Sequence, residues 1–410
     1  MRKKKGIRVI KEPIKNRVQP RAKGVYSFIR ECVHFLLYHL LAFKIFVFGV
    51  LCRNLFAFKL ANGKTLTMAV FVYRIGSLGD AVVSIPAIKQ IKEMQQNKQI
   101  YLITNISNEG IVNTWDVLEH IGVFKSYLNY DKKAKAIFNL VKEIRSLTNG
   151  DDILYYLPPG RNWIQVSRDF IFFKFICGID KMVGFKKAVR KQIIRKKGKL
   201  VVLPKESESL LDAISCEEKS IHGDAISEFP NDLKRRMDSI LDDDFIKIAI
   251  GSGTKDVYRK WPVQKYKELC KKIMDIKRTK IFFVGGESDR GEGDAVLEGI
   301  PIKRALNLAG RANILESAYL FKKCNLFIGN NSGNLHLAAS MNIPTIGIYS
   351  SGFNPGRWNP IGTESFVFQK EIACEGCLSR RCAYKSPECL EKITVDEVFK
   401  KVLEIIENNP

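Results

Sequence analysis

Hydrophobic and polar positions alternate along most of this chain in a pattern that changes sharply at Asn62 and Gly63. After that point, short apolar runs alternate with longer segments of helical periodicity, as in α/β proteins with parallel sheets. The apolar runs predict strands at residues 67–73, 99–103, 152–157, 200–203, 246–250, 280–284, 325–328 and 345–349. The helical pattern is clearest at residues 81–94, 132–146, 163–175 and 334–341.

The predicted strands form two series, separated by a polar stretch at residues 206–244 that we interpret as an irregular linker. Two doubly wound, Rossmann-like domains in tandem place a ligand in the cleft between them, at the carboxyl ends of the strands. We therefore expect an N-terminal domain at residues 65–240 and a C-terminal domain at residues 241–410.

The first 64 residues have a different composition. They contain 15 Lys and Arg against Glu12 and Glu31, so they carry +13 of the net charge of +24. Residues 1–27 have no apolar run and are expected to be a disordered basic arm. Residues 28–64 are predicted to be a membrane-associating helical segment, because residues 35–52 are apolar on every side of a helix and are interrupted only by His39 and Lys44.

Three interpretations of this apolar segment are open: a span of the membrane, a helix buried against the protein, and a helix or helical hairpin lying in one leaflet. A central lysine is costly in a span, and the preceding basic residues favour anionic headgroups. We favour the third interpretation. Nucleic acid is not an expected partner, since the chain has no zinc-finger spacing, no RNP-type motif and no interleaving of basic and aromatic residues outside its N-terminus.

Candidate chemistry follows three of the predicted strands. After residues 325–328, the turn of Asn331, Ser332 and Gly333 opens a helix, and free N–H groups at a helix start bind anions. The alternative is an ordinary strand-to-helix connection. Asp80, after Gly76 and Gly79, is either a helix cap or a general base facing the cleft.

The second domain begins with a strand and a loop of small residues, followed by two basic residues and Trp261-Pro262. Small residues with fixed cations suit a diphosphate, although a solvated basic face would give the same pattern. The residues of this loop are Ser252, Gly253, Thr254, Arg259 and Lys260. Glu287 follows Gly285-Gly286 at the tip of a strand, where a carboxylate commonly accepts hydrogen bonds from ribose hydroxyls.

Taken together, the segments RIGSLGD, RKWP, GGESDR, LAGR, GNNSGNLHLAA and GRWNP resemble glycosyltransferase family 9, the family of the ADP-heptose:lipopolysaccharide heptosyltransferases. Their order and spacing agree over about residues 67 to 405. The resemblance implies two Rossmann-like domains of the GT-B type facing across a cleft, inversion at the anomeric carbon and no catalytic metal ion. It also implies a nucleotide-sugar donor, with ADP-heptose favoured, and no other cofactor.

The resemblance assigns roles to individual residues. Asp80 matches the catalytic base, Arg259 or Lys260 the cation on the donor phosphates, and Glu287 the ribose-binding acid. The pyrophosphate-binding helix start corresponds to Ser332, Gly333 and His336, and Gly79 lies beside the base. One departure is Asn331, where the family has Asp; the amide keeps hydrogen bonding but removes a charge next to the donor.

Four cysteines near the C-terminus have the spacing C-x2-C-x4-C-x6-C. They are Cys374, Cys377, Cys382 and Cys389. This spacing is typical of a structural zinc site, and disulfides are an equal alternative. Neither interpretation makes them catalytic.

The expected function is therefore inverting transfer of a sugar to an anionic, lipid-linked acceptor such as the lipopolysaccharide inner core. The expected location is the cytoplasmic face of the inner membrane, as a peripheral or monotopic protein. The alternatives are a family 9 transferase that uses another nucleotide sugar for a different surface glycan, and a non-catalytic nucleotide-sugar-binding scaffold.

Overall fold

A computed structural model describes residues 68–106, 112–131, 133–191, 193–215, 224–241, 244–254, 256, 259–362, 364–378, 382 and 387–408. All of them belong to one compact unit, Thr65–Pro410. The predicted basic arm at residues 1–27 and the predicted apolar segment at residues 28–64 lie outside the described residues. Within the described ranges, no helix has the length and apolar character that crossing a membrane requires.

The first half of the unit is built on a five-stranded parallel sheet with the strand order β3-β2-β1-β4-β5. Its strands are β1 (Ala69–Tyr73), β2 (Gln99–Thr104), β3 (Ser126–Asn129), β4 (Ile153–Tyr156) and β5 (Lys181–Val183). All five residues of β1 are buried, because helices cover both faces of a parallel sheet. This is the doubly wound arrangement that the apolar runs predict.

Helices connect and cover these strands. They are α1 (Leu78–Met94), α2 (Trp115–Leu118), α3 (Ala134–Leu147), α4 (Trp163–Ile171), α5 (Phe185–Ala188) and α6 (Glu206–Ala213). A π-helical turn, Phe172–Ile176, continues α4. A two-stranded antiparallel hairpin follows α5 and consists of β6 (Arg195–Lys196) and β7 (Lys199–Leu200).

The second half contains a six-stranded parallel sheet with the order β10-β9-β8-β11-β12-β13. Its strands are β8 (Ile246–Gly251), β9 (Thr279–Phe283), β10 (Ala305–Asn307), β11 (Leu326–Asn330), β12 (Thr345–Tyr349) and β13 (Ser365–Gln369). The helices around it are α7 (Asn231–Leu241), α8 (Val263–Met274), α9 (Arg290–Val296), α10 (Ile314–Lys322), α11 (Gly333–Ser340), α12 (Glu388–Glu391) and α13 (Val395–Asn408).

The two halves pack together through α1 and α11. Val82 and Ile85 of α1 share one continuous apolar core with Leu335 and Leu337 of α11. Because each of these helices follows the central strand of its sheet or that strand's neighbour, their N-terminal ends meet at the carboxyl edges of both sheets. This edge is where the predicted site residues lie.

Two predictions about secondary structure are wrong. Residues 200–203 do not add a strand to the parallel sheet; the fifth strand is β5, and only Leu200 is in a strand, in the short hairpin. Residues 206–244 are not an irregular linker, since they contain α6 and α7. The polar appearance of α7 is due to its exposed side, while Leu233, Met237 and Leu241 recur at helical spacing and are buried.

Candidate active site

The start of α1 holds Asp80 in place. Asp80 Oδ2 accepts hydrogen bonds from the backbone N–H and the hydroxyl of Ser77, both at 2.9 Å. Gly76, with φ +144°, is required here, because a Cβ at this position would lie 2.5 Å from Cβ of Asp80. The carboxylate therefore acts as a helix cap through Oδ2, while Oδ1 is free of the cap.

Arg74 helps to fix the position of this carboxylate. Its guanidinium is fully buried and donates hydrogen bonds to the carbonyl oxygens of Asp80 and of Leu157, the latter at 2.7 Å. One of its nitrogens is 3.7 Å from Asp80 Oδ1. Burial lowers the pKa of Arg74, and the negative charge of Asp80 opposes this effect. The only sequence signal for this residue is a charged side chain directly after an apolar strand.

The start of α11 presents polar groups without partners. Ser332 is the N-cap residue, and its hydroxyl is buried with no hydrogen-bond partner in the described part of the chain. His336, one turn into the helix, is 2% exposed, and its Nδ1 also lacks a partner there. Burial lowers the pKa of His336 to about 4, which the charge of Asp80 only partly offsets. Asn331 precedes this turn and is half-buried.

These two helix starts are in direct contact. A Cβ on Gly79 would lie 3.2 Å from the His336 ring and 3.7 Å from Cα of Gly333. A Cβ on Gly333 would lie 2.5 Å from Cγ of Leu78. Gly333 is therefore needed for the close approach of the helices, and a side chain at Gly79 would crowd the His336 ring. The contact places the candidate base beside the candidate anion-binding turn.

The loop after β8 is organised by a carboxylate that the sequence does not reveal. Glu292 of α9 accepts a hydrogen bond from the Ser252 hydroxyl and pairs with Lys260 at 2.6 Å. Lys260 and Glu292 are both largely shielded from solvent, so their charges neutralise each other locally. Nothing in the sequence links Ser252 with Glu292, because their contact depends on the packing of α9 against the sheet.

Asn330 joins this loop to α11. Its buried side chain donates a hydrogen bond to the Ser252 carbonyl at 2.6 Å and accepts one from the Trp261 N–H at 3.0 Å. A buried amide with both ends satisfied fixes the two segments relative to each other. Asn330 stands directly before the candidate anion-binding turn, and its role is not evident from the sequence.

Asp289 lies closer to the small-residue loop than Glu287 does. A Cβ on Gly253 would be 2.4 Å from Oδ2 of Asp289, and Thr254 continues the same loop, half-buried. Glu287, in contrast, has a side chain that is 67% exposed and pairs with Arg290 at 2.9 Å. The strand tip thus carries two acids, of which the sequence pattern indicated one.

Arg259 lies on the cysteine-containing side of the loop. Its guanidinium is 4.3 Å from the centre of the Phe353 ring and 3.1 Å from Asp256. Arg259 and Phe353 line one pocket together with Cys374, Cys377, Cys382 and Cys389. The structure therefore brings Asp80, Gly79, Ser332, Gly333 and His336 into one group, and it brings Ser252 and Lys260 together on Glu292.

Cys374, Cys377 and Cys389 form no disulfide bond in the structure, and both interpretations of the four cysteines, structural zinc and disulfides, stay predictions. No three His, Cys, Asp or Glu side chains in the described ranges are grouped so that they could hold a metal ion. Burial raises the pKa of the thiols of Cys374 and Cys389, which keeps both protonated at neutral pH.

A second group that the sequence analysis missed lies after β4, the neighbour of β1. Arg161 is half-buried, and its Nε is enclosed without a hydrogen-bond partner among the described residues. The carboxylate of Glu206 is nearby but pairs with Arg190 at 2.8 Å and with Arg357 at 3.4 Å. This corner of the sheet edge consequently has more guanidinium groups than carboxylates.

Two parallel sheets whose carboxyl edges meet at paired helix starts define a doubly wound α/β fold in two halves. The sequence model of glycosyltransferase family 9 (heptosyltransferase) matches residues 172–387, which is more than half of the chain. The chain belongs to this family, and the family predicted from its sequence is confirmed.

Individual relatives are distant. Lipopolysaccharide heptosyltransferase 2 of Escherichia coli K12 is 29% identical over 103 residues, covering 24% of this chain and 29% of that protein. Lipooligosaccharide heptosyltransferase 2 of Haemophilus influenzae is 29% identical over 94 residues, covering 22% of this chain and 27% of that protein. Lipooligosaccharide heptosyltransferase 2 of Campylobacter jejuni is 21% identical over 371 residues, covering 83% of this chain and 99% of that protein.

Solved structures share the fold. Escherichia coli ADP-heptose lipopolysaccharide heptosyltransferase II gives a TM-score of 0.59 at 16% identity, covering 83% of this chain and 99% of that one. Escherichia coli heptosyltransferase WaaC with ADP gives 0.55 at 13% identity, covering 82% and 100%.

The buried state of His336 predicts a pH-dependent stability. Because its folded pKa is about 4 and an unfolded histidine titrates near 6.5, the unfolded chain binds a proton between these values while the folded chain does not. Stability is thus lost as pH falls through this window, by up to about 3 kcal/mol. In His336→Gln, the free energy of unfolding should lose this part of its dependence on pH. Urea denaturation measured between pH 4 and 7 checks this.

The matched control is His120→Gln, which changes a histidine whose side chain is 31% exposed. The free energy of unfolding of that variant should depend on pH as it does in the parent protein. An unchanged slope in His336→Gln would show that His336 takes up its proton in the folded state at an ordinary pH.

Proposed function

We propose that this protein is an inverting glycosyltransferase that moves heptose from ADP-heptose to an anionic, lipid-linked acceptor such as the lipopolysaccharide inner core. One observation carries the proposal: the start of α1, which holds Asp80, packs against the start of α11, which presents Ser332 and His336. This contact supports the proposal that a general base and an anion-binding turn act side by side. Family membership and relatives named as heptosyltransferases support heptose as the sugar.

The proposed reaction is a single displacement. Asp80 Oδ1 accepts the proton of an acceptor hydroxyl, and the hydroxyl oxygen forms a bond to the anomeric carbon of the sugar. The bond from that carbon to the diphosphate breaks on the opposite side, so the configuration inverts and ADP leaves with the electron pair. Arg74 acts as a positioning residue, because it donates a hydrogen bond to the backbone carbonyl oxygen of Asp80 and lies 3.7 Å from its carboxylate.

The donor is assigned to the second half of the unit. The N–H groups at the start of α11 receive the diphosphate together with Ser332, Gly333 and Asn331, since a helix start favours anions. Arg259 is the proposed cation on the phosphates: its carboxylate partner Asp256 belongs to the same loop, whereas Lys260 is held by Glu292 of α9. For the ribose, Glu287 and Asp289 lie at the same strand tip, and the variants Glu287→Gln and Asp289→Asn distinguish them by their ADP affinity.

The acceptor is assigned to the first half. Arg161 carries an unmatched positive charge at the carboxyl edge of the sheet, beside the strand that leads to Asp80. A carboxylate or phosphate of the acceptor would supply the missing partner. This arrangement supports an anionic acceptor without depending on which sugar is transferred.

The base is tested by Asp80→Asn. The amide keeps the size and a cap acceptor but cannot take the proton, so kcat should fall by about 10²–10⁴-fold, the typical contribution of a general base. ADP affinity by calorimetry should stay within a few-fold of the parent. The matched control is Asp116→Asn in α2, another acid in the first turn of a helix of the same half, which should leave kcat unchanged.

Full activity of Asp80→Asn would remove the proposed base. Release of UDP or GDP from other nucleotide sugars, with none of ADP from ADP-heptose, would instead point to a different donor. If none of these sugars releases a nucleotide while ADP still binds, the chain is a non-catalytic scaffold.

Structural zinc at the four cysteines is proposed on their chemistry, because thiolates at short spacing suit zinc although the structure does not group them as ligands. No catalytic step uses this metal. Metal analysis of the reduced, full-length protein should find about one zinc per chain. Cys377→Ser should lose it and Cys324→Ser, at a buried thiol elsewhere, should keep it. A metal-free parent protein would contradict the proposal.

We further propose that the enzyme works at the cytoplasmic face of the inner membrane, held there by residues 28–64 as a peripheral or monotopic protein. A cytosolic donor and a lipid-linked acceptor would then reach the same site. The proposed division into an acceptor domain at residues 65–240 and a donor domain at residues 241–410 follows from these assignments.

A further inference from the structure

The exposed side of α4 and its π-helical turn is apolar. Trp163, Phe170, Ile171 and Phe175 are 67%, 39%, 37% and 56% exposed, and we call these four residues the aromatic face. Their spacing puts them on one side of the helical segment. The opposite side is also apolar and is buried in the core through residues such as Phe173. One apolar side of this surface helix is thus buried in the core, while the other apolar side is left exposed to solvent.

The segment of the chain that contains the aromatic face is strongly basic. Residues 161–205 contain thirteen Lys and Arg against Asp169 and Asp180, a net charge of +11. Residues 65–410 also have a net charge of +11 in total, so the remainder of this unit is neutral. All of the excess positive charge outside the N-terminal 64 residues therefore lies in one segment of 45 residues.

A ring contact places helix α5, which contains lysines, next to the aromatic face. The ring of Phe170 lies 5.5 Å from the ring of Phe185, the first residue of α5, which also contains Lys186. Lys186 and Lys191 are exposed, and neither forms an ion pair with any other described residue. Lys187, by comparison, is paired with Asp212 at 2.5 Å.

We propose that the aromatic face and the basic residues around it dock on an anionic phospholipid surface. Aromatic side chains fit the boundary between headgroups and acyl chains, and lysines around them pair with lipid phosphates. The helical segment ends after Ile176 and contains Arg168 and Asp169, so it lies in the interface rather than across it. This contact is separate from residues 28–64 and does not depend on the identity of the donor or the acceptor.

The docking geometry has a consequence for the site. Arg161 stands two residues before Trp163, so contact of the aromatic face with lipid holds the carboxyl edge of β4 close to the headgroups. A lipid-linked acceptor would then reach Asp80 without leaving the bilayer.

The test uses the full chain and vesicles of phosphatidylethanolamine and phosphatidylglycerol whose acyl chains are brominated, because bromine quenches only tryptophans that enter the bilayer. Sedimentation first verifies that every variant is on the vesicles. Quenching of the parent should be lost in Trp163→Phe. Adding Phe175→Trp to that variant should restore it. Adding Phe138→Trp, at a 63% exposed position of α3, should not.

The contribution of charge is tested separately with the double variant Lys186→Glu and Lys191→Glu, which should reduce the quenching of Trp163. High salt, or phosphatidylcholine in place of phosphatidylglycerol, should reduce it as well. Equal quenching in the parent and in Trp163→Phe, or equal quenching of the Phe175→Trp and Phe138→Trp reporters, would overturn the proposal. So would a Trp163 emission that responds to protein concentration and not to vesicles, since a second copy of the chain would then cover the face.

Discussion

The buried guanidinium of Arg74 is the constraint on which the geometry of the site depends. Removing a charge from water costs several kcal/mol, so Arg74 is tolerated only because carbonyl oxygens and the carboxylate of Asp80 surround it. It ties the start of α1 to the end of β4 through Leu157. The position of Asp80 is therefore set by the sheet and not by the cap of one helix alone.

In the second half, the buried side-chain amide of Asn330 has the role that the buried guanidinium of Arg74 has in the first half. Asn330 ties β11 to the loop that carries Ser252, and Glu292 ties that loop to α9. Each half thus presents one rigid helix start, and Gly79 and Gly333 allow these starts to touch. The candidate base and the candidate diphosphate site are held by separate networks, which meet where Gly79 lies against the His336 ring and Gly333 against Leu78.

The sequence predicted the α/β class, the first and central strands and the helix starts, because these features are local. Residues 345–349 were assigned as a strand with the bounds of β12. Short edge strands such as β3, β5 and β10 were missed, since a few half-exposed residues leave no clear apolar run. Glu292, Asn330 and Arg161 were missed for another reason: their importance lies in contacts, or in the lack of them, with residues far away in the sequence.

The charge distribution connects the site with its surroundings. Residues 241–410, which hold the proposed donor loops, carry a net charge of +4, whereas residues 161–205, beside β4, β5 and the hairpin that follows, carry +11. In the proposed mechanism, an anionic acceptor and an anionic surface are thus attracted mainly to the first half, while the nucleotide site relies on the local dipole and cations of the second. This division of roles follows from residues that are exposed or unmatched in the structure.

The proposed mechanism requires the diphosphate to lie between the start of α11 and Asp80. A crystal structure of the protein with ADP would show its position. The diphosphate is expected on the backbone N–H groups of Ser332 and Gly333, with Arg259 turned toward it and Asp80 Oδ1 facing the space beyond the terminal phosphate. A diphosphate bound elsewhere, for example on Arg161, with the start of α11 unoccupied, would rule this mechanism out.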